Sequence, residues 1–268
     1  MQPLGVVGTG AEELLDDLAT RLDGRVATVR RESIAEERGE ENPPSDATAS
    51  YVLGEDGTWS ARGRQRTLPE LLDDLAPEYD YLLVAGFPNA RVPTVVLGER
   101  SAERITGEVL LEAADAAAVD LDALIEALVE CEPHVTLESL VERAKASPHG
   151  DRAGAIATFT GRVRAKDAPD DSRTEYLEFE KYEGVAEQRM AEIEDELAER
   201  DGVFEVLMYH RVGVIEDGED IVFVVVLAGH REEAFRTVED GIDRLKAEVP
   251  IFKKESTTDE EFWVHEQP

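Results

Sequence analysis

The chain of 268 residues holds 22 arginines but only six lysines, and three of the six, Lys246, Lys253 and Lys254, fall within nine residues. An amine can lose its proton and act as base or nucleophile, whereas a guanidinium stays charged. Lysines kept where arginine is otherwise preferred therefore mark work that arginine cannot do. The plain alternative is a set of solvated cations favouring a helix C-terminus, and Lys254 fits it. Lys246 and Lys253 lie in Leu245-Lys246 and Val249-Pro250-Ile251-Phe252-Lys253, beside apolar residues around a helix-ending proline. That setting predicts partial burial and a lowered amine pKa. Further cations sit at predicted strand edges. Arg162 and Arg164 flank Val163 in Thr158-Phe159-Thr160-Gly161-Arg162-Val163-Arg164, and alternation along an extended chain points both to one side. His230-Arg231 follow Ala228-Gly229 at a predicted helix start, where free N–H groups suit an anion. Singly, each group is an ordinary ion pair or cap; together they predict a cationic pocket for a small anionic ligand.

Such a pocket would stand against the rest of the molecule. With 61 acidic and 28 basic residues the net charge is -33, divided as -17 over residues 1–150 (13 basic, 30 acidic) and -16 over the remainder (15 basic, 31 acidic). An excess spread so evenly belongs to the whole surface. It repels nucleic acid and keeps a protein hydrated at high salt, so a halophilic source is expected. Cys131 is the single cysteine, which excludes an intrachain disulfide and a thiolate metal cluster within one chain. It reads as filler on the apolar face of a helix over Leu124–Cys131. No run of about 20 uncharged apolar residues is present to cross a bilayer. Met1–Gly10 has no basic segment ahead of an apolar one, and the expected location is cytoplasmic.

The elements that must position these residues follow from periodicity. Residues 1–108 alternate short apolar runs (Leu4–Val7, Val26–Val29, Tyr81–Val84, Thr94–Leu97) with helical spacing at Leu14, Leu15, Leu18 and Leu22, an α/β pattern. Glu36–Ala49 reads as a loop, and Tyr51–Leu53 with Thr58–Ser60 as a hairpin. Residues 109–150 become rich in Ala and Leu at helical spacing, broken by Pro133 and stopped by Ser147-Pro148-His149-Gly150. That predicts a helical linker and a domain boundary. In 151–268 two strands (Gly154–Arg164, Glu175–Tyr182), a helix (Val185–Arg200), two strands (Val203–Val214, Ile221–Leu227) and a helix (Arg231–Glu248) predict an α+β domain.

Gly5-Val6-Val7-Gly8-Thr9-Gly10 joins the first predicted strand to the first helix, where a glycine turn can aim N–H groups at phosphate. The lysine and following Ser or Thr of a phosphate loop are replaced by Ala11-Glu12-Glu13, whose carboxylates would repel a triphosphate. With Gly24-Arg25-Val26-Ala27-Thr28-Val29 and Tyr79-Asp80-Tyr81-Leu82-Leu83-Val84-Ala85-Gly86-Phe87, this part resembles the MobB family, nucleotide-binding accessory proteins of molybdenum-cofactor assembly. Ala85 stands where that family tends to carry an acid. The resemblance therefore implies a P-loop-like α/β domain with a degenerate phosphate loop, serving as a relic or docking module.

A second resemblance runs over nearly all of Asp151–Val264. His210-Arg211-Val212-Gly213, Gly218-Glu219 before Ile221-Val222-Phe223-Val224, His230-Arg231-Glu232-Glu233-Ala234-Phe235, Ile242-Asp243-Arg244-Leu245-Lys246 and Val249-Pro250-Ile251-Phe252-Lys253-Lys254-Glu255 are similar, in order and spacing, to the MoaE family. This family is the large, catalytic subunit of molybdopterin synthase. Phe159-Thr160-Gly161-Arg162-Val163-Arg164 matches its first strand and loop. The resemblance implies an α+β domain with a mixed or antiparallel sheet and two main helices. It implies sulfur transfer to cyclic pyranopterin monophosphate from the C-terminal glycine thiocarboxylate of a small ubiquitin-like carrier, with no cofactor and no metal. Lys246 and Lys253 would be the catalytic pair. Arg162, Val163, Arg164, His230 and Arg231 would bind substrate, with Lys254 and Glu255 completing the wall and Glu255 orienting a lysine. A homodimer of large subunits with one carrier at each end is implied. The family continues past the Trp263-Val264 position with a basic tail, where this sequence has His265-Glu266-Gln267-Pro268. Two other classes fit parts of the pattern: a non-catalytic docking protein that accepts a ubiquitin-like modifier on its lysines, and a nucleotide-binding module at Gly5–Gly10.

Overall fold

The computed structural model describes residues 1–31, 48–63, 65–99, 102–166, 168–182, 184–257 and 261–264. Most of the loop expected over Glu36–Ala49, and the segment His265–Pro268, lie outside the described residues. The chain divides into two compact units, Met1–His134 and Val135–Pro268. No described helix is long and apolar enough to cross a membrane.

The first unit runs β1 (Gln2–Gly8), α1 (Ala11–Arg21), β2 (Val26–Arg30), β3 (Ala49–Leu53), β4 (Trp59–Gly63), α2 (Leu68–Leu75), β5 (Tyr81–Ala85), β6 (Thr94–Leu97), β7 (Val109–Ala113) and α3 (Leu121–Val129). Five strands form a parallel sheet in the order β2-β5-β1-β6-β7, and β3 and β4 form the expected hairpin. A parallel strand covered on both faces reads as an unbroken apolar run, as Leu82-Leu83-Val84-Ala85 does. Leu83 and Ala85 pack with Leu14, Leu15 and Leu18 of α1 and Leu124 and Leu128 of α3, while Leu82 and Val84 turn to Leu72 of α2. Periodicity over eight residues is too short to reveal α2. Its boundary signal is the reciprocal cap in which Thr67 accepts from the Glu70 N–H and Glu70 accepts from the Thr67 N–H.

Val109–Ala113 departs from the helical reading. It is a strand beside β6, because five residues of apolar run do not separate helix from strand and the neighbouring edge decides. The span 109–150 is thereby divided, with β7 and α3 in the first unit and α4 (Leu137–Lys145) in the second.

The second unit continues with β8 (Ala155–Arg162), β9 (Thr174–Lys181), α5 (Val185–Ala198), β10 (Val203–His210), β11 (Gly213–Glu216), β12 (Asp220–Ala228), α6 (Arg231–Glu248), β13 (Ile251–Thr257) and β14 (Glu261–Val264). Two antiparallel sheets result, β10-β12-β8 and β11-β9-β13-β14. The single strand expected over Val203–Val214 is two, because the chain turns at Gly213 (φ +80°) and β11 leaves to pair with β9. In β12, Val222, Val224, Val226 and Ala228 pack with Ile193 and Leu197 of α5 and Ile242 and Leu245 of α6. The alternate residues Phe223, Val225 and Leu227 pack with Leu140 and Ala144 of α4. Helices therefore cover both faces of the three-stranded sheet.

Candidate functional site

α6 carries cations at both ends. Lys246 occupies its last turn, beside buried Leu245, and is itself exposed. The expected partial burial does not hold for Lys246: the core stripe passes through Ile242 and Leu245, and the next position turns outward. The turn is fixed from α5, since Arg244 bonds Glu248 at 2.8 Å and Glu196 at 2.6 Å and Arg189 also binds Glu248. Those hydrogen bonds from Arg244 and Arg189 hold the Glu248 carboxyl down to about 2.

From α6 the chain enters β13 through Val249-Pro250. Lys253 is opposite Phe179 of β9, Lys254 opposite Glu178 and Glu255 opposite Leu177. Directly opposed antiparallel residues share a face, so Lys253 and Glu255 face the side of buried Phe179 and Leu177 while Lys254 faces away. Lys253 is half-buried, as the apolar setting predicts. Lys254 Nζ is 3.8 Å from Glu178. The Glu255 carboxylate accepts a hydrogen bond from the Thr174 hydroxyl.

Arg162 and Arg164 are exposed on either side of buried Val163, at the end of β8 and just beyond it. Arg162 Nε is 3.0 Å from Asp220, and its guanidinium also donates to the Gly218 carbonyl. Val163 is 3% exposed, so its side chain belongs to the core. Its N–H donates to Glu219 at 2.9 Å and its carbonyl accepts from Gly218 at 3.0 Å. This backbone clamp positions the two arginines.

His230 is the N-cap of α6, extended at φ -136° with no side-chain cap bond, and Arg231 is the first helical residue; both are exposed. At 1.5 Å rise per residue, Arg231 and Lys246 are separated by about 22 Å along α6. His230 and Arg231 thus lie at the opposite end of α6 from Lys246. Arg162 pairs with Asp220 at the start of β12, whereas His230 and Arg231 follow Ala228 at its end.

Two residues near Lys253 carry features that motif matching did not assign. His210, 7% exposed, meets Phe179 edge-on with ring centroids 4.9 Å apart, and its Nδ1 lies 2.7 Å from the Arg211 carbonyl. Burial holds its imidazole down to about 4, and the Lys181 cation acts in the same direction, so His210 is neutral near pH 7. Lys181, 12% exposed, pairs with Glu187 at 2.6 Å. Its place at the end of a strand with buried Leu177 and Phe179 at alternate positions was the available signal.

At the glycine turn of the first unit, a Cβ on Gly8 would lie 2.0 Å from the Leu97 carbonyl oxygen, so close strand packing requires that glycine. Glu12, at the start of α1, pairs with Arg30 at 3.3 Å. Cys131 lies past the end of α3 and is half-buried, not on the helix as read from sequence; its thiol bonds the Ala127 carbonyl, and desolvation pushes its pKa up.

The chain matches the model of the MoaE protein family over residues 132–248. It is 62% identical over 267 residues to a "Probable molybdopterin synthase" of Haloferax volcanii, with 100% of both chains covered. It is 39% identical to the molybdopterin synthase catalytic subunit of Escherichia coli, over 42% of this chain and 75% of that one. Among solved structures it is similar to a MobB protein homolog from Bacillus stearothermophilus at 20% identity and a TM-score of 0.36, covering 49% of this chain and 100% of that chain. The Haloferax relative agrees with the halophilic source read from composition.

Proposed function

The chain belongs to the MoaE family of molybdopterin synthase catalytic subunits, and from that premise we propose which of its residues transfer the sulfur and on what. The enzyme is a sulfurtransferase that takes sulfur from a carrier. Its substrate is cyclic pyranopterin monophosphate, its donor the C-terminal glycine thiocarboxylate of a small ubiquitin-like subunit, and its place the cytoplasm. The observation that carries this reading is the disposition of the basic side chains of the second unit. There Lys246 is exposed in the last turn of α6, Lys253 is half-buried on β13, and Arg162 and Arg164 flank a clamped Val163.

Lys246 meets the carrier's tail as it enters and assists attack at the pterin side chain or briefly holds the acyl carbon. Lys253, held against Phe179 and Leu177, moves protons and stabilises the oxyanion that forms on that carbon. Arg164 and Arg162 bind anionic groups of substrate and tail, and Lys254 and Glu255 complete the wall. His230 and Arg231 are substrate ligands as well, but about 22 Å along α6 exceeds the reach of one pterin phosphate. The pocket is therefore built from two copies, each supplying its lysine end to the other's His230-Arg231 end. A homodimer with one carrier bound at each lysine end follows, a heterotetramer.

The test is reconstitution of the purified chain with thiocarboxylated carrier and cyclic pterin, assayed for the dithiolene. Wild type forms it, while Arg164→Ala and Arg231→Ala lose product and still bind the carrier. A wild type that makes no dithiolene would remove this reading.

A further inference from the structure

Phe204 is the extra residue of a bulge where β10 meets β12. Val203 is opposite Ala228 and Glu205 opposite Leu227, which leaves Phe204 without an opposite residue. Bulges re-aim a side chain and gather beside sites. The half-buried Phe204 ring reaches the end of the sheet at which α6 begins: a Cβ on Gly229 would lie 3.8 Å from it, and His230 and Arg231 come next in the chain. Two basic groups meet the same ring, both from the short turn over Gly150–Arg152. The Arg152 guanidinium lies 4.9 Å from the ring centroid, and the His149 ring centroid 5.9 Å from it. Arg152 is exposed and, among the described residues, holds no carboxylate; neither does Arg231. Elsewhere in the second unit Arg162, Arg173, Arg189, Arg200, Arg236 and Arg244 each pair with one. In a chain with 61 acidic residues, a guanidinium left unpaired on an aromatic face is held by that face and keeps its N–H edge open. Gly150 and Ala153, on either side of Arg152 in sequence, line a groove of about 400 Å³ with Ile156 and Leu227. Lys145 also lines it but is tied to Glu142 at 2.6 Å.

We propose that Arg152, held by Phe204, is a further substrate-binding residue, which takes the phosphate of the cyclic pterin together with His230 and Arg231. The proposal rests on the reading of those two as substrate ligands and adds a third cation on their side of the site. The carrier's tail is met by Lys246 and Lys253, so the anion left for this end is the phosphate. A guanidinium gives two parallel N–H bonds to two phosphate oxygens, a fit that neither the His230 ring nor an amine provides. Stacking on Phe204 fixes the plane of that fork before substrate arrives, which lowers the ordering cost of binding.

The test is binding of cyclic pterin to the full-length chain without carrier, read by pterin fluorescence, beside steady-state turnover with carrier. Arg152→Gln is expected to weaken pterin binding by at least about tenfold, the scale of one hydrogen bond to a charged group. KM rises in the same proportion while kcat stays within about twofold of wild type, and carrier affinity and the circular dichroism spectrum are unchanged. Arg152→Lys keeps the charge without the fork and recovers part of the loss. Phe204→Leu frees the guanidinium and raises KM without lowering kcat. Inorganic phosphate, as a competitive inhibitor, weakens in Arg152→Gln as cyclic pterin does, whereas a pterin without phosphate binds both proteins alike. Cyclic pterin bound by Arg152→Gln as tightly as by wild type, or a loss of carrier affinity in place of pterin affinity, overturns the proposal. A wild-type chain that binds cyclic pterin through Arg152 yet forms no dithiolene would remove the sulfur-transfer reading and leave the phosphate site; dithiolene formed by Arg152→Gln at an unchanged KM would do the reverse.

Discussion

Arg244 and Glu248 are joined by a 2.8 Å bond from Nε to Oε1, and Lys246 lies between them in the last turn of α6. With Arg189 of α5 also on Glu248, the lysine's backbone is braced from two helices.

Glu248→Gln loosens that brace. The carboxyl titrates at about 2 in the fold against an ordinary 4.5, a lowered acid. Its contribution to stability is therefore present above about pH 4.5 and lost as pH falls toward 2. Thermal unfolding from pH 6 to 2 is expected to be less steeply pH-dependent in the variant, and its kcat to fall severalfold with KM nearly unchanged. Superimposable pH profiles would show that the brace contributes nothing.

Lys246→Ala and Lys253→Ala are each expected to lower dithiolene formation by at least about 100-fold, the scale of losing a proton-transfer group. Lys246 is exposed, so its removal should change stability by no more than about 0.5 kcal/mol. Arginine at either position should not restore activity, since guanidinium cannot deprotonate. Near-wild-type turnover in either alanine variant would refute the assignment.

Much of this arrangement was legible in the sequence, for identifiable reasons. The shared exposure of Arg162 and Arg164 follows from strand alternation, and the half-burial of Lys253 from its apolar neighbours, whereas Val163, expected among the substrate ligands, has its side chain in the core. Exposed Lys246 was misread because adjacency to Leu245 in sequence is not adjacency on a helix face, where the following residue lies about 100° round. Val109–Ala113 was misread because a short apolar run takes its conformation from the strand it meets. The separation of Arg231 from Lys246 was implicit in the length of α6. It became a statement about the site only once the register Ala228 to Ala155 and Asp220 to Arg162 fixed which end is which.

A pocket shared between copies predicts complementation. Lys253→Ala and Arg231→Ala are each expected to be inactive alone, while in the proposed pocket a mixed dimer would hold one intact Lys253 end facing one intact Arg231 end. Random exchange of the two variants should restore about a quarter of wild-type dithiolene formation, since half the dimers are mixed and each has one whole site of two. No recovery after verified subunit exchange would place all the ligands of a site within one chain.

Glu194 gives the clearest pH signature. Desolvation raises its carboxyl to about 7 from an ordinary 4.5, although the Met208 N–H acts against it. A raised acid contributes stability below its unfolded value that is lost as pH rises through the folded one, so above about pH 7 the fold carries an ill-solvated charge beside β10. Glutamine accepts the same backbone hydrogen bond without that charge. Glu194→Gln is expected to raise stability at pH 8 by on the order of 1–2 kcal/mol, several degrees in Tm, and to leave it nearly unchanged at pH 4.5. Thermal unfolding of both proteins at the two pH values measures this, and a gain that is equal at both, or a loss at pH 8, would show that Glu194 is not strained by its charge.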